Sequence, residues 1–185
     1  MIEFRFHGRG GQGAVTCAEL LALAAINEGR FAQAFPSFGP ERRGAPVVAF
    51  ARIDEKQIRN RTAVQRPDVV CVLDPSLLPI VNVAEGIADE GTLVLNWWHT
   101  SDQLREEYGF KSRLALVNAN LIAREVIGRV ITNTTMLGAL LKATGVAQAE
   151  ALEEAIQHRF GRIAARNIAA FRRALEEAAI EEVPS

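Results

Sequence analysis

The chain has little sulfur chemistry to offer. Its two cysteines, Cys17 and Cys71, lie far apart, with no CxxC and no histidine at zinc spacing, so they can build neither a metal site nor an iron–sulfur cluster by themselves. They read as two buried thiols in a reducing compartment. No run of 18 apolar residues occurs, which excludes a membrane-spanning helix. Charge of one sign is also missing: 21 Lys plus Arg face 22 Asp plus Glu, a net charge of −1. Nucleic acid and anionic membranes are therefore not expected partners, and any anion site must be local. There is no GxSxG elbow and no GxxxxGK[ST] loop, and His7, His99 and His158 are scattered, so hydrolase, kinase and metal readings lose their support. Also absent is a Gly-Asp-Gly segment followed some thirty residues on by Asn, the pattern that holds magnesium and diphosphate in thiamine enzymes.

What is present fits one domain over residues 1–185, long enough to bury about two-thirds of its unfolded surface. A mean hydropathy of +0.06 is high for a chain whose whole surface meets water, and a permanent partner would explain it. The N-terminus Met1-Ile2-Glu3-Phe4-Arg5-Phe6 alternates like a strand and has no basic stretch leading into a long apolar one. It reads as the start of a cytoplasmic protein.

Residues 1–7 predict a strand and Ala14 to Asn27 a helix stopped at Gly29. Phe31 to Pro36 is short and extended, and Val47 to Ala51 is an apolar strand. Val69 to Leu73, Thr92 to Leu95 and Leu114 to Val117 are continuous apolar runs of the kind strands show when both faces are covered. These three finish at Asp74, Asn96 and Asn118, the edge where open α/β sheets bind ligands. From Asn120 onward the pattern turns helical: Leu121 to Ile127, Thr134 to Thr144 closed by Gly145, then a stretch through Leu175, with residues 181–185 frayed. The fold class is α/β: a Rossmann-like open sheet, mostly parallel, with helices on both faces and a helical C-terminal third.

Gly8-Arg9-Gly10-Gly11-Gln12-Gly13 satisfies GxGxxG between a predicted strand and a predicted helix. Glycines there allow a tight turn and a close approach of phosphate, and the helix start attracts negative charge. The bland alternative is a plain strand-to-helix turn. An NAD site would also want an acid about 20 positions on, at the end of the second strand. Gln33 and Ala34 stand there, and Glu28 falls in the helix or its cap. Arg42 and Arg43 follow, in a segment from Pro40 to Arg66 with seven Lys or Arg against three acids. Paired arginines near a glycine loop suit a ligand with several phosphates better than NAD. They fit a solvated basic turn or a salt-bridged interface equally well.

Phe6 to Gly13, Gln33 to Pro46, Arg66-Pro67-Asp68 leading to Leu73-Asp74-Pro75, and Asn133-Thr134-Thr135-Met136-Leu137-Gly138 together resemble the gamma subunit of the 2-oxoacid:ferredoxin oxidoreductases, the group that includes pyruvate synthase. The resemblance implies a complex that oxidatively decarboxylates a 2-oxoacid to an acyl-CoA. Its alpha, beta and ferredoxin-like delta subunits would hold thiamine diphosphate, Mg2+ and iron–sulfur clusters, and electrons would leave to ferredoxin or another acceptor. This chain would bind coenzyme A through Gly10, Gly11, Gln12, Gly13, Ala14, Arg42, Arg43 and Asn133, and would contribute no catalytic residue and no metal ligand. The alternative is a structural clamp between the thiamine-binding subunits, with no ligand of its own.

Overall fold

The computed structural model describes residues 1–37 and 43–183. One seven-stranded sheet organises the molecule, in the spatial order β2-β3-β1-β4-β5-β6-β7. Its strands are β1 (Ile2–Arg9), β2 (Phe31–Pro36), β3 (Pro46–Asp54), β4 (Val69–Val72), β5 (Thr92–Asn96), β6 (Arg113–Val117) and β7 (Ala179–Glu181). The central strands β1, β4, β5 and β6 run parallel. Both margins are antiparallel, β2 and β3 on one side and β7 on the other. The parallel open sheet expected from the apolar runs is thus its centre.

Side chains alternate across this centre, as a two-residue period requires. Phe4, Phe6, Cys71, Val94 and Ala115 enter a core under α1 (Ala14–Asn27), α4 (Asn133–Thr144), α5 (Ala149–Phe160) and α6 (Ala164–Glu177). Val70, Val72, Leu93, Leu95 and Leu114 enter a smaller core on the opposite face, where the only described α-helix is α2 (Ser101–Tyr108), which buries Leu104. Between α4 and α6 the backbones nearly touch: a Cβ on Gly138 would stand 2.2 Å from the Phe171 carbonyl oxygen. No larger residue fits that crossing.

Several boundaries differ from the sequence expectation. β1 runs two residues further, through Gly8 and Arg9, because both pair with β3. The predicted helix Leu121 to Ile127 is a short α3 (Ala119–Ile122) followed by a π-turn over Ala123–Ile127 that ends at Gly128 with φ 84°. The long C-terminal stretch breaks at Gly161 into α5 and α6. Residues 179–181, the last of which the sequence places in a frayed tail, form β7, where pairing with β6 orders Glu181 opposite Leu114. No described helix is long and apolar enough to cross a membrane.

Candidate functional site

The glycine loop is held from both of its neighbouring strands. On the β3 side, Gly10 N–H donates to the Ala45 carbonyl at 2.9 Å, Gly44 N–H donates to the Gly10 carbonyl at 3.2 Å, and Gly10 bridges Arg43. On the β4 side, Gln12 Nε2 donates to Asp74 Oδ2 at 2.6 Å, while its Oε1 accepts the Arg9 N–H at 2.7 Å. The Arg9 guanidinium spans the two sides. It donates to the Gly44 carbonyl at 3.0 Å and to Ser76 Oγ at 2.9 Å, and its Nε stands 3.3 Å from Asp74. Burial alone would push the Asp74 carboxyl up, but hydrogen bonds from Ser76 and Gln12 and the charge of Arg9 outweigh it, and the net shift is downward. Asp74 is therefore an ionised brace.

Gly13 begins α1 with φ 87°, a left-handed conformation, and no side chain caps the helix. Its first N–H groups have no intrahelical acceptor and its first turn carries no acid. The positive end of α1, equivalent to roughly half a charge, stands uncompensated. Asn133, at the start of α4, is 5% exposed and packs against this point. A Cβ on Gly13 would lie 2.6 Å from Asn133 Nδ2. Asn133 Oδ1 accepts the Thr134 N–H at 2.8 Å, whereas among the described residues Nδ2 has no acceptor. A nearly buried amide donor thus converges with free backbone donors on one spot, a combination that suits an anion.

The structure brings Gly10, Gly11, Gln12, Gly13, Ala14, Arg43 and Asn133 to one sheet edge. Arg42 lies outside the described residues. Gln12 serves the loop with its side chain, not only with its backbone. Arg43 is exposed, with no ion pair to a described residue. Glu28 caps the far end of α1, about 21 Å along a 14-residue helix, and binds the Gln148 N–H. β2 is separated from β1 by β3, so the end of the second strand does not flank the loop as an NAD ribose site requires.

Sequence reasoning missed the cleft beside the loop. It measures about 520 Å³ and is lined by Gln12, Asp74, Ser76, Trp98, Val130 and Thr132, among others. Its walls come from the loop after β1 and from the segments after β4, β5 and β6, so it reaches the gap between β1 and β4, where the chain after β1 crosses to one side of the sheet and the chain after β4 to the other. That is the switch point at which open α/β sheets hold ligands. The three polar strand ends were its signal. Asp74 braces the loop, Asn96 donates to the Leu73 carbonyl and to Asn120 Oδ1, and Asn118 caps α3 by accepting the Leu121 N–H.

Cys17 and Cys71 are buried under the helical layer, which pushes both thiols up. Among the described residues no three His, Cys, Asp or Glu side chains converge as metal ligands. His7 is buried too, and burial, followed by the charge of Arg5, lowers its pKa to about 3. Arg5 Nε donates to His7 Nε2 at 3.1 Å. The ring is therefore neutral and carries its proton on Nδ1.

The family described as pyruvate ferredoxin/flavodoxin oxidoreductase matches residues 3–177. The chain belongs to this family. It is 52% identical over 99% of its length, and over the full length of the relative, to the pyruvate/ketoisovalerate oxidoreductases common subunit gamma of Thermococcus litoralis. The crystal structure of pyruvate oxidoreductase subunit PORC from Thermotoga maritima superposes with a TM-score of 0.87 at 40% identity, covering 98% of each chain. A 2-oxoglutarate:ferredoxin oxidoreductase from Magnetococcus marinus, solved with 2-oxoglutarate, coenzyme A and succinyl-CoA bound, shares the fold: TM-score 0.77 and 18% identity over 95% of this chain and 30% of that one. The family places the chain as a gamma-type subunit of a multi-subunit 2-oxoacid:ferredoxin oxidoreductase.

Proposed function

We propose that this subunit binds coenzyme A and presents its thiol to an acyl group generated on partner subunits, within a cytoplasmic complex that converts a 2-oxoacid to an acyl-CoA. The observation that carries the reading is the pairing of Gly13 with Asn133, which gathers the free N–H groups of α1 and the Asn133 amide at one point. Coenzyme A carries a diphosphate and a 3′-phosphate. Gly10 to Ala14 and Asn133 suit the diphosphate, and Arg42 and Arg43 suit the 3′-phosphate. Thiamine diphosphate, Mg2+ and iron–sulfur clusters belong to the alpha, beta and ferredoxin-like delta subunits, and electrons leave from there to ferredoxin or another acceptor. The whole chain, residues 1–185, acts as one domain whose contribution is positioning and exclusion of water, with no general acid or base of its own.

Changing Arg42 and Arg43 together to Ala in the intact complex tests this. The Michaelis constant for coenzyme A rises, while the half-reaction of 2-oxoacid without coenzyme A stays near wild type. An unchanged dependence on coenzyme A contradicts the reading. A second reading, a clamp without ligand, draws on the exposed apolar side chains Trp98, Leu121, Val130 and Ile131 near this edge. It predicts that loop substitutions weaken assembly and leave coenzyme A kinetics of the assembled enzyme unaltered.

A further inference from the structure

Of the two margins of the sheet, β7 spans three residues and β2 spans six. Among the described residues no strand pairs with the outer edge of β2. Register decides which polar groups that edge presents. Ser37 N–H donates to the Val48 carbonyl at 2.8 Å, in step with the pairing of Phe35 with Phe50 and of Gln33 with Arg52. Antiparallel ladders alternate, so Phe31, Gln33 and Phe35 turn their N–H and C=O groups to β3, while Ala32, Ala34 and Pro36 turn theirs outward. Pro36, with no N–H to offer, closes the row. Outward groups of this kind are a template for a further strand.

The edge is written to pair with itself. Phe31-Ala32-Gln33-Ala34-Phe35 reads the same in both directions. Two antiparallel copies related by a two-fold axis through Gln33 set Ala32 against Ala34 of the second copy, and Phe31 against its Phe35. Ala32 and Ala34 are the residues whose N–H and C=O both face outward, so each facing pair exchanges both of its N–H···O bonds. A slip of one residue would set outward groups against inward ones.

The side chains agree with this register. Ala32 and Ala34 pack on the core under α1, and Phe31, Gln33 and Phe35 share the opposite face. Beside them is a hollow of about 350 Å³ lined by Gln33, Ala34, Phe35 and Arg61. Its walls are fixed from within the chain: Phe35 lies 5.4 Å from the Phe50 ring and 5.3 Å from the Arg52 guanidinium, and Gln33 Nε2 donates to the Ile58 carbonyl at 2.9 Å. Phe31, by contrast, is 48% exposed. We infer that β2 is an interface between two copies of this chain, their sheets joined through Ala32 and Ala34, with Phe31 of each copy seated in the hollow of the other. The contact is isologous, each copy supplying the same ring and the same socket. In the socket ring meets ring at Phe35, beside the Arg61 cation. A strand of a different subunit could take the outward groups but would leave the palindrome unused.

Gln33→Cys in the intact complex tests the register. The axis brings the two thiols opposite each other, with Cα atoms about 4.5 Å apart as in any non-hydrogen-bonded pair, within reach of a disulfide. Oxidised glutathione accepts their two electrons and two protons, leaving the disulfide and two molecules of reduced glutathione. On a denaturing, non-reducing gel this subunit then runs at twice its mass. Phe31→Cys does not, because the two copies of position 31 lie four residues apart along the strands, about 14 Å. Cys17 and Cys71, 0% and 1% exposed, give no background. No doubled band from Gln33→Cys, an equal band from Phe31→Cys, or a cross-link to a different subunit overturns the interface.

Sedimentation equilibrium of the full chain, free of other subunits, gives a second reading. Wild type dimerises at micromolar concentration, and Phe31→Lys, which sets a cation beside Arg61 of the second copy, weakens the dimer about hundredfold. Circular dichroism confirms that the variant is folded, as expected for an exposed position. A wild-type chain that stays monomeric, or a folded Phe31→Lys that dimerises as wild type does, overturns it equally.

Discussion

Gly13 and Asn133 stand against each other across the start of two helices, closely enough that a single methyl group at position 13 would meet the Asn133 amide nitrogen at 2.6 Å. Gly13→Ala therefore suffers twice, from a side chain at φ 87° and from the displaced amide. The expected cost is about 1–3 kcal/mol with a raised Michaelis constant for coenzyme A. Gly11→Ala is the control: φ is 94°, but nothing lies within 4 Å of the added carbon, so only the backbone term of roughly 1–2 kcal/mol applies. Thermal unfolding and steady-state kinetics of both variants check the order, and equal effects on coenzyme A kinetics would contradict it.

Asp74 braces the loop through Gln12 and Arg9. Asp74→Asn keeps the shape, weakens two charge-assisted bonds and leaves Gln12 facing an amide. Loosening the loop raises the Michaelis constant for coenzyme A by about three- to tenfold, with a smaller change in kcat. The sign with pH follows from the downward shift of the carboxyl: its contribution is present above the ordinary carboxylate range and is lost as pH falls through the folded-state value. A variant with wild-type affinity for coenzyme A would remove Asp74 from the account.

Gly138 permits the contact of α4 with α6. Gly138→Ala places a carbon 2.2 Å from the Phe171 carbonyl oxygen and 2.9 Å from the Leu175 nitrogen, both backbone atoms that move only with their helix. Overpacking of this kind costs about 1–3 kcal/mol or more, measurable as a lowered urea midpoint. A stability gain from the better helix former would show that the helices separate freely.

His7 remains neutral in the folded chain down to a pKa of about 3, against 6.5 unfolded. The unfolded state takes up the proton first, so the cost is absent above pH 6.5 and grows as pH falls from there toward 3, by about 1.4 kcal/mol per pH unit at most. His7→Gln retains an acceptor for Arg5 and does not titrate. Urea unfolding at pH 7, 5.5 and 4.5 shows a steeper loss for wild type than for the variant, and parallel lines would contradict the assignment.

How far the sequence reached depends on the kind of signal each part carries. The apolar runs of β4, β5 and β6 and the turn from β1 into α1 were legible because burial on both faces and glycine spacing leave local marks. The antiparallel placement of β2 and β3 was not, since register with β1 is a long-range choice and the short strands could have joined either edge. Helix α2 buries only Leu104, too little apolar surface to write a period. The π-turn over Ala123–Ile127 came from the same residues that suggested a continuous helix. At the site, Gly10 to Ala14 and Asn133 were named from family-like segments, and the structure supplies what no spacing could: the brace through Asp74, the cleft at Trp98 and Val130, and the contact of Gly13 with Asn133.

The proposed function requires coenzyme A to sit on the start of α1. Hydrogen exchange of the amides from Gly8 to Cys17, followed in the purified complex as coenzyme A is added, tests it most directly. Saturable slowing in this segment, together with the Asn133 region and without comparable change in α2, is the predicted result. Exchange in the loop that coenzyme A leaves unaltered at concentrations supporting full turnover would contradict it.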